Sequence, residues 1–287
     1  MNALQLPTLR LVIAFFSLSA FSVVSGQISF PAASPHCVFK QVVGLTDVEI
    51  DYSRPGVKGR EIFGGLVPWG EVWRTGANAP TKITFSNDVT LGGAEIRAGS
   101  YALFTIPEPD EWTIIIYGST DGWGSFGYDS SKDVVRIKAK PMRLNERVES
   151  FTIGIDALRN DTATLNLDWD HTRVAIPMKV DTSGQVMSRI EELKDTPEFQ
   201  KPNALFGAGS FYHDSGYDLP QALDWVSAAI EKSDSPAYWM YARKARIEAD
   251  LGQKEAARAS AERTRELANE AGNPDYVKIA NDIIASL

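Results

Sequence analysis

Residues 101–118, YALFTIPEPDEWTIIIYG, are two β-branched and aromatic runs held apart by Pro107-Glu108-Pro109-Asp110. Two prolines with polar neighbours interrupt backbone pairing and read as a turn. The second run, WTIIIYG, lacks polar alternation, which predicts a central strand covered on both faces. Outward from this pair, runs of period two fill the chain from 37 to about 180. CVFKQVV, TDVEIDY, TKITFS and DVTL precede it; DVVRIKAK, ESFTIGI, TATLNLDW and TRVAIPMKV follow. Turn signals at Asn87-Asp88, Gly92-Gly93, Asp121-Gly122 and Asn160-Asp161 punctuate them. Ten short strands with no helical pattern between them predict an antiparallel β-sandwich or barrel. In DVVRIKAK, Val134, Arg136, Lys138 and Lys140 alternate with Val135, Ile137 and Ala139, so that strand has one wet face.

The rhythm changes at Asp181. Thr182-Ser183-Gly184 reads as a hinge-like break, followed by a short helical segment through VMSRIEELK. Pro197 and Pro202 punctuate the chain there, and five further helical stretches run to the end. Apolar residues recur at helical spacing: Ala222, Leu223, Trp225, Val226, Ala229, Ile230, then Tyr238, Tyr241, Ala242, Ala245, Ile247, Ala249. Asp218-Leu219-Pro220 and Asp234-Ser235-Pro236 each place an N-cap residue and a proline at a helix start. Ala222 and Ala229 return 35 residues later as Ala257 and Thr264. Trp239, Ala245, Leu251-Gly252, Ala257 and Ala261 follow tetratricopeptide spacing. The predicted fold is a mainly β domain over 27–181 and an all-α, tetratricopeptide-like domain over 182–287. Stacks of this kind need about three repeats, so the helical region is expected to bury a face against the β domain or a protein partner.

Residues 1–26 stand apart from both. Arg10 precedes the apolar run LVIAFFSLSAFSVV, and Val24-Ser25-Gly26 supplies small residues before Gln27. That is the pattern of a secretory signal peptide cleaved after Gly26, and it predicts an extracytoplasmic protein, periplasmic or secreted. The run is too short for a convincing membrane span, so no membrane insertion is expected after cleavage. Cys37 is the single cysteine, so no intramolecular disulfide forms, and its apolar neighbours suggest a buried residue. Net charge is −8 and evenly spread: 16 basic against 20 acidic residues over 27–182, and 12 against 17 over 183–287. Neither half offers a basic platform for nucleic acid or an anionic membrane surface.

The densest collection of ligand-recognising side chains lies at 48–78, VEIDYSRPGVKGREIFGGLVPWGEVWRTGAN. It leaves a strand, crosses a long Gly/Pro-rich loop and returns toward the next strand; such loops commonly carry function. The candidate ligand-binding residues are Asp51, Tyr52, Ser53, Arg54, Trp69, Trp73, Arg74 and Asn78. Arg54 and Arg74 either tie the loop to Asp51 or Glu71 or present their forks to an anion. Trp69 and Trp73 are core residues or a stacking platform of the kind sugar sites use. The two arginines are expected to converge on one side of the β domain, with a tryptophan within reach.

Other constellations are weaker. Asp47, Glu49 and Asp51 share a strand face; a flat strand is a poor calcium site, and a solvated face is expected. His36, His171 and His213 fall in different elements without ligand spacing, so no metal site is predicted. Ser53 and Ser100 lack a GxSxG elbow, and GVKGREIFGG lacks the strand–helix context of a phosphate loop. No cofactor is expected. Glu61 and Glu71 lie in the loop where paired carboxylates of a glycosidase would be sought.

Several stretches together resemble the DUF2911 family, exported bacterial proteins of unknown function: 44–86, AGSYALFTIP (98–107), EWTIIIY (111–117) and ATLNLDWDHTRVAIPMKV (163–180). The tail, ALDWVSAAI followed by KARIEADLGQKEAA, is similar to that of many members. Glu49 departs from the uncharged residue expected there. The resemblance implies an extracytoplasmic β domain and brings no catalytic residues. The expected function is a non-enzymatic module that binds a small anionic or carbohydrate ligand, an envelope component or a protein. The alternatives are a hydrolase of carbohydrate or cell-wall material, using the loop's carboxylates, and a scaffold docking a partner through its helical tail.

Overall fold

The computed structural model describes residues 30–287; the signal peptide expected over 1–26 lies outside them. Ten strands come first: β1 (His36–Val43), β2 (Thr46–Ser53), β3 (Thr81–Phe85), β4 (Val89–Leu91), β5 (Ala94–Ile96), β6 (Gly99–Ile106), β7 (Trp112–Tyr117), β8 (Asp133–Ala139), β9 (Pro141–Asp156) and β10 (Thr162–Val180). Six helices follow: α1 (Thr182–Leu193), α2 (Pro202–Asp214), α3 (Leu219–Glu231), α4 (Tyr238–Asp250), α5 (Lys254–Glu270) and α6 (Pro274–Ser286). The strands form two antiparallel sheets, ordered β1-β2-β3-β6-β7-β8 and β5-β4-β10-β9. This is the sandwich arrangement, and no pairing among the described residues closes it into a barrel. Ile50, Ile83, Leu103, Ile114 and Ile116 from the first sheet meet Phe151, Ile153, Leu165, Leu167 and Ile176 from the second in one core.

Every residue of β7 is buried, as its unbroken apolar run predicts. Ile114 and Ile116 face the inter-sheet core, while Ile115 and Tyr117 pack with Ala102, Phe104 and Tyr128 on the outer face. The strand is not central, however: only β8 lies beyond it. On β2 the alternation holds, with Val48, Ile50 and Tyr52 inward. Two outward carboxylates have partners across the pair: Glu49 forms an ion pair with Lys40 at 2.6 Å, and Asp51 is hydrogen-bonded to the His36 imidazole at 2.6 Å. The Tyr52 hydroxyl accepts from Ile153 N at 3.0 Å, which ties the two sheets together.

Three expectations need correction. TATLNLDW and TRVAIPMKV are one strand, β10, because bulges between Asp168 and Thr172 absorb the polar residues that read as a turn. β5 has no counterpart in the sequence reading, being three residues wedged against Gly92-Gly93. Thr182-Ser183-Gly184 is not a hinge but the first turn of α1. Asp181 caps it by accepting from Gly184 N at 3.0 Å, and Asp161 accepts from both Ser183 N and Ser183 Oγ.

In the helical part, Asp218 caps α3 as expected, accepting from Gln221 N at 3.0 Å. Asp234 does not cap α4, which starts later, after an extended Ala237. Ala222, Ala229, Ala257 and Thr264, the positions that repeat, are all fully buried where helices touch. Gly209 of α2 meets α3 so closely that a Cβ there lies 2.8 Å from both Ala222 O and Val226 Cγ2. Gly209→Ala is therefore expected to push the two helices apart and cost about 1–3 kcal/mol, outweighing alanine's helix propensity. The midpoint of helical circular dichroism on heating measures this; an unchanged or raised midpoint shows that the helices do not need the contact.

Candidate functional site

The chain between β2 and β3 is sewn to both sheets. At its start, Val57 N donates to Glu149 O at 2.8 Å and Phe151 N donates to Pro55 O at 2.9 Å, so 55–57 runs beside β9. At its end, Trp73 and Thr105 exchange backbone hydrogen bonds of 2.7 and 2.9 Å beside β6. Between these anchors, Ile62 and Val67 are driven into the core while the glycines and polar residues stay outside. The return turn at 74–78 is held in an uncommon backbone state. Thr75 and Asn78 have φ of +55° and +62°, and Thr75 is fully buried with its carbonyl accepting from Thr81 Oγ1 at 2.5 Å. A β-branched residue at positive φ is strained, and such strain clusters at functional sites.

The eight candidate residues separate into groups. Asp51 sits on the solvated face of β2 with His36, and Tyr52 is a buried inter-sheet tie. Ser53 accepts from Asn78 Nδ2 at 3.1 Å, closing the base of the loop. Arg54 turns toward β9, donating from Nε to Phe151 O at 2.9 Å and from Nη2 to Thr152 Oγ1 at 2.6 Å. Trp73 is buried, stacked on Trp169 at 5.7 Å, and donates from Nε1 to Gly76 O at 3.0 Å. Trp69 is half-exposed and lies on Phe63. Arg74 faces an opening, which it lines together with Trp73.

That opening is a cleft of about 310 Å³ whose lining includes Arg60, Glu71, Trp73, Arg74, Ser125 and Trp169. Among the described residues, no carboxylate pairs with Arg74 or Arg60, and no acceptor meets the Arg74 guanidinium. Arg74 Nε is fully buried and without a partner, and burial pulls the group's pKa below the ordinary arginine value. Arg60 is fixed by donating to Gly56 O at 2.6 Å and Val57 O at 3.1 Å, both carbonyls. Two guanidinium groups against one carboxylate leave the cleft net positive. The opposite lip comes from 119–129, where Gly124 N donates to Asn78 O at 3.1 Å and brings Ser125 to the rim. Tyr128 pins that segment from the other side through Asp133, with its phenol pKa pushed up to about 12 by burial and that carboxylate.

A family model described as a protein of unknown function, DUF2911, matches residues 34–178. The chain belongs to the DUF2911 family. No curated protein and no solved structure matches it. The DUF2911 match contains both sheets almost entirely, the 48–78 segment and the cleft, and it stops within β10, before the helices.

Within this DUF2911 domain the loop's two carboxylates separate: Glu71 lines the Arg74 cleft, whereas Glu61 lines a different one beside Trp69. They do not face each other across one opening. The sequence reading missed Arg60 as the partner of Arg74, along with Ser125 and Trp169. Arg60 lay in plain view within the quoted stretch. Ser125 gave no signal, because the contact between 119–129 and 74–78 is made across the fold. Cys37 is half-buried against the core rather than fully enclosed.

Proposed function

We propose that this chain is an exported, non-enzymatic binding module whose Arg74 cleft takes a small ligand bearing a carboxylate or a similar compact anion. The observation that carries this reading is the Arg74 guanidinium, drawn into the cleft with its Nε buried and no acceptor for it among the described residues. An unmet buried donor costs roughly 1–3 kcal/mol, a cost that an arriving anion removes. The planar fork suits a carboxylate or phosphate oxygen pair, and Arg60 adds a second positive group. Glu71 at the rim supplies an acceptor for a ligand hydroxyl or amine. The strained 74–78 turn supports the same reading, because it holds Arg74 in place at an energetic cost.

A thermal-shift screen with mono- and dicarboxylates, amino acids, sugar phosphates and inorganic phosphate tests this. A ligand that binds only the native state raises the midpoint, by about 2.7 kcal/mol of stability at a hundredfold excess over Kd. One anionic class is expected to do so while uncharged analogues do not. If no anion shifts the midpoint, the reading fails.

Export rests on Arg10, the apolar run after it and Val24-Ser25-Gly26. Protein from native cells is expected to begin at Gln27 and to lie outside the cytosol, as peptide mass spectrometry of fractionated cells can report. An intact leader on cytosolic protein ends this part of the proposal.

A further inference from the structure

We infer that a second cleft, on Trp69, binds a neutral saccharide. It measures about 380 Å³, and its lining includes Glu61, Phe63, Trp69, Arg143, Asp170 and His171. None of its lining residues belongs to the Arg74 cleft.

The platform comes first. Trp69 is 42% exposed, and its indole lies on Phe63 with centroids 6.1 Å apart and planes 33° from parallel. Phe63 in turn packs edge-on against Trp112 at 4.8 Å, so the exposed ring is backed by the aromatic core. Gly64, at φ +91°, lies directly against the indole: a Cβ there would collide with Trp69 Nε1. The indole is thus seated on a rigid base with an apolar surface open to the cleft.

The polar groups beside it have free valences. The Nδ1 of His171 is 3.2 Å from Leu144 O, and a carbonyl only accepts, so Nδ1 carries the hydrogen. In the neutral ring Nε2 then holds a lone pair, and it has no partner among the described residues. The bulge in β10 at Asp170, whose φ is +53°, is what turns this stretch toward the cleft. Asp170 accepts from Arg147 Nε at 2.9 Å and is neutralised. Arg143 and Glu61 make no ion pair among the described residues, and their charges cancel.

The site therefore offers an aromatic surface, strong acceptors and a strong donor, with no net field to select an ion. A pyranose fits that combination: its C–H face lies on the indole, and its hydroxyls donate to His171 Nε2 and Glu61 while accepting from Arg143. Glu61 disfavours an anion, and Arg143 disfavours a cation.

Calorimetric titration with soluble tetrasaccharides of glucose (β-1,4 and α-1,4) and of N-acetylglucosamine tests this. At least one is expected to bind, Trp69→Ala to weaken it by about tenfold or more, and His171→Ala to weaken it less. Trp69→Tyr, which keeps an aromatic surface and the fold, is expected to retain part of the affinity. Arg74→Lys is expected to leave sugar binding unchanged, so failure here and failure of the anion site are separately visible. No binding by any of the three, binding indifferent to Trp69→Ala, or loss in Arg74→Lys overturns the inference.

Discussion

Trp73→Ala is expected to destabilise the protein by about 3–5 kcal/mol, the range for truncating a buried aromatic. Trp73 is 7% exposed and sits at the centre of an aromatic cluster. It stacks on Trp169 and meets Phe151 at 5.1 Å, Phe63 at 6.1 Å and Trp112 at 6.4 Å. Its removal leaves a cavity between the sheets and strips the donor from Gly76 O. Trp69→Ala, at the other end of the same sequence spacing, is expected to cost far less, because its ring is half in water. Urea unfolding of the two variants measures the contrast. Equal and small losses would mean that the loop is not part of the core.

Arg54→Lys is expected to cost about 1–3 kcal/mol without altering ligand binding. The Arg54 fork bonds two consecutive residues of β9, the Phe151 carbonyl and the Thr152 hydroxyl. Hydrogen bonds from charged donors contribute roughly 1.5–3 kcal/mol each, and a lysine ammonium cannot span both acceptors from one rigid plane. With its donors turned to β9, Arg54 serves as the tie between the loop and the second sheet. An unfolding midpoint unmoved in Arg54→Lys would show the tie to be energetically idle.

The architecture was legible because most of the sandwich's strands keep period two, β7 is an unbroken apolar run, and the tail keeps helical period. Val48, Ile50 and Tyr52 face inward, and Ala222, Ala229, Ala257 and Thr264 meet at helix contacts, as their spacing demands. What failed was local. Asp168, Asp170, His171 and Thr172 look like a turn, and only pairing with β9 makes them a bulged strand. Asp234 looks like a cap, but the chain past Pro236 stays extended to Ala237. The site was legible as a stretch and not as a constellation. Arg54 and Arg74 are chemically alike, and each one's role depends on what lies across the fold, β9 for one and a cleft for the other.

The central claim is that Arg74 is held unpaired to receive an anion. Calorimetric titration of the wild type and Arg74→Lys, with whichever anion raises the midpoint in the screen, addresses it most directly. Lysine keeps the charge and loses the fork, so affinity is expected to fall by about tenfold or more while the unfolding midpoint does not fall. Full affinity in Arg74→Lys, or a midpoint that drops as far as that of Arg54→Lys, would contradict it.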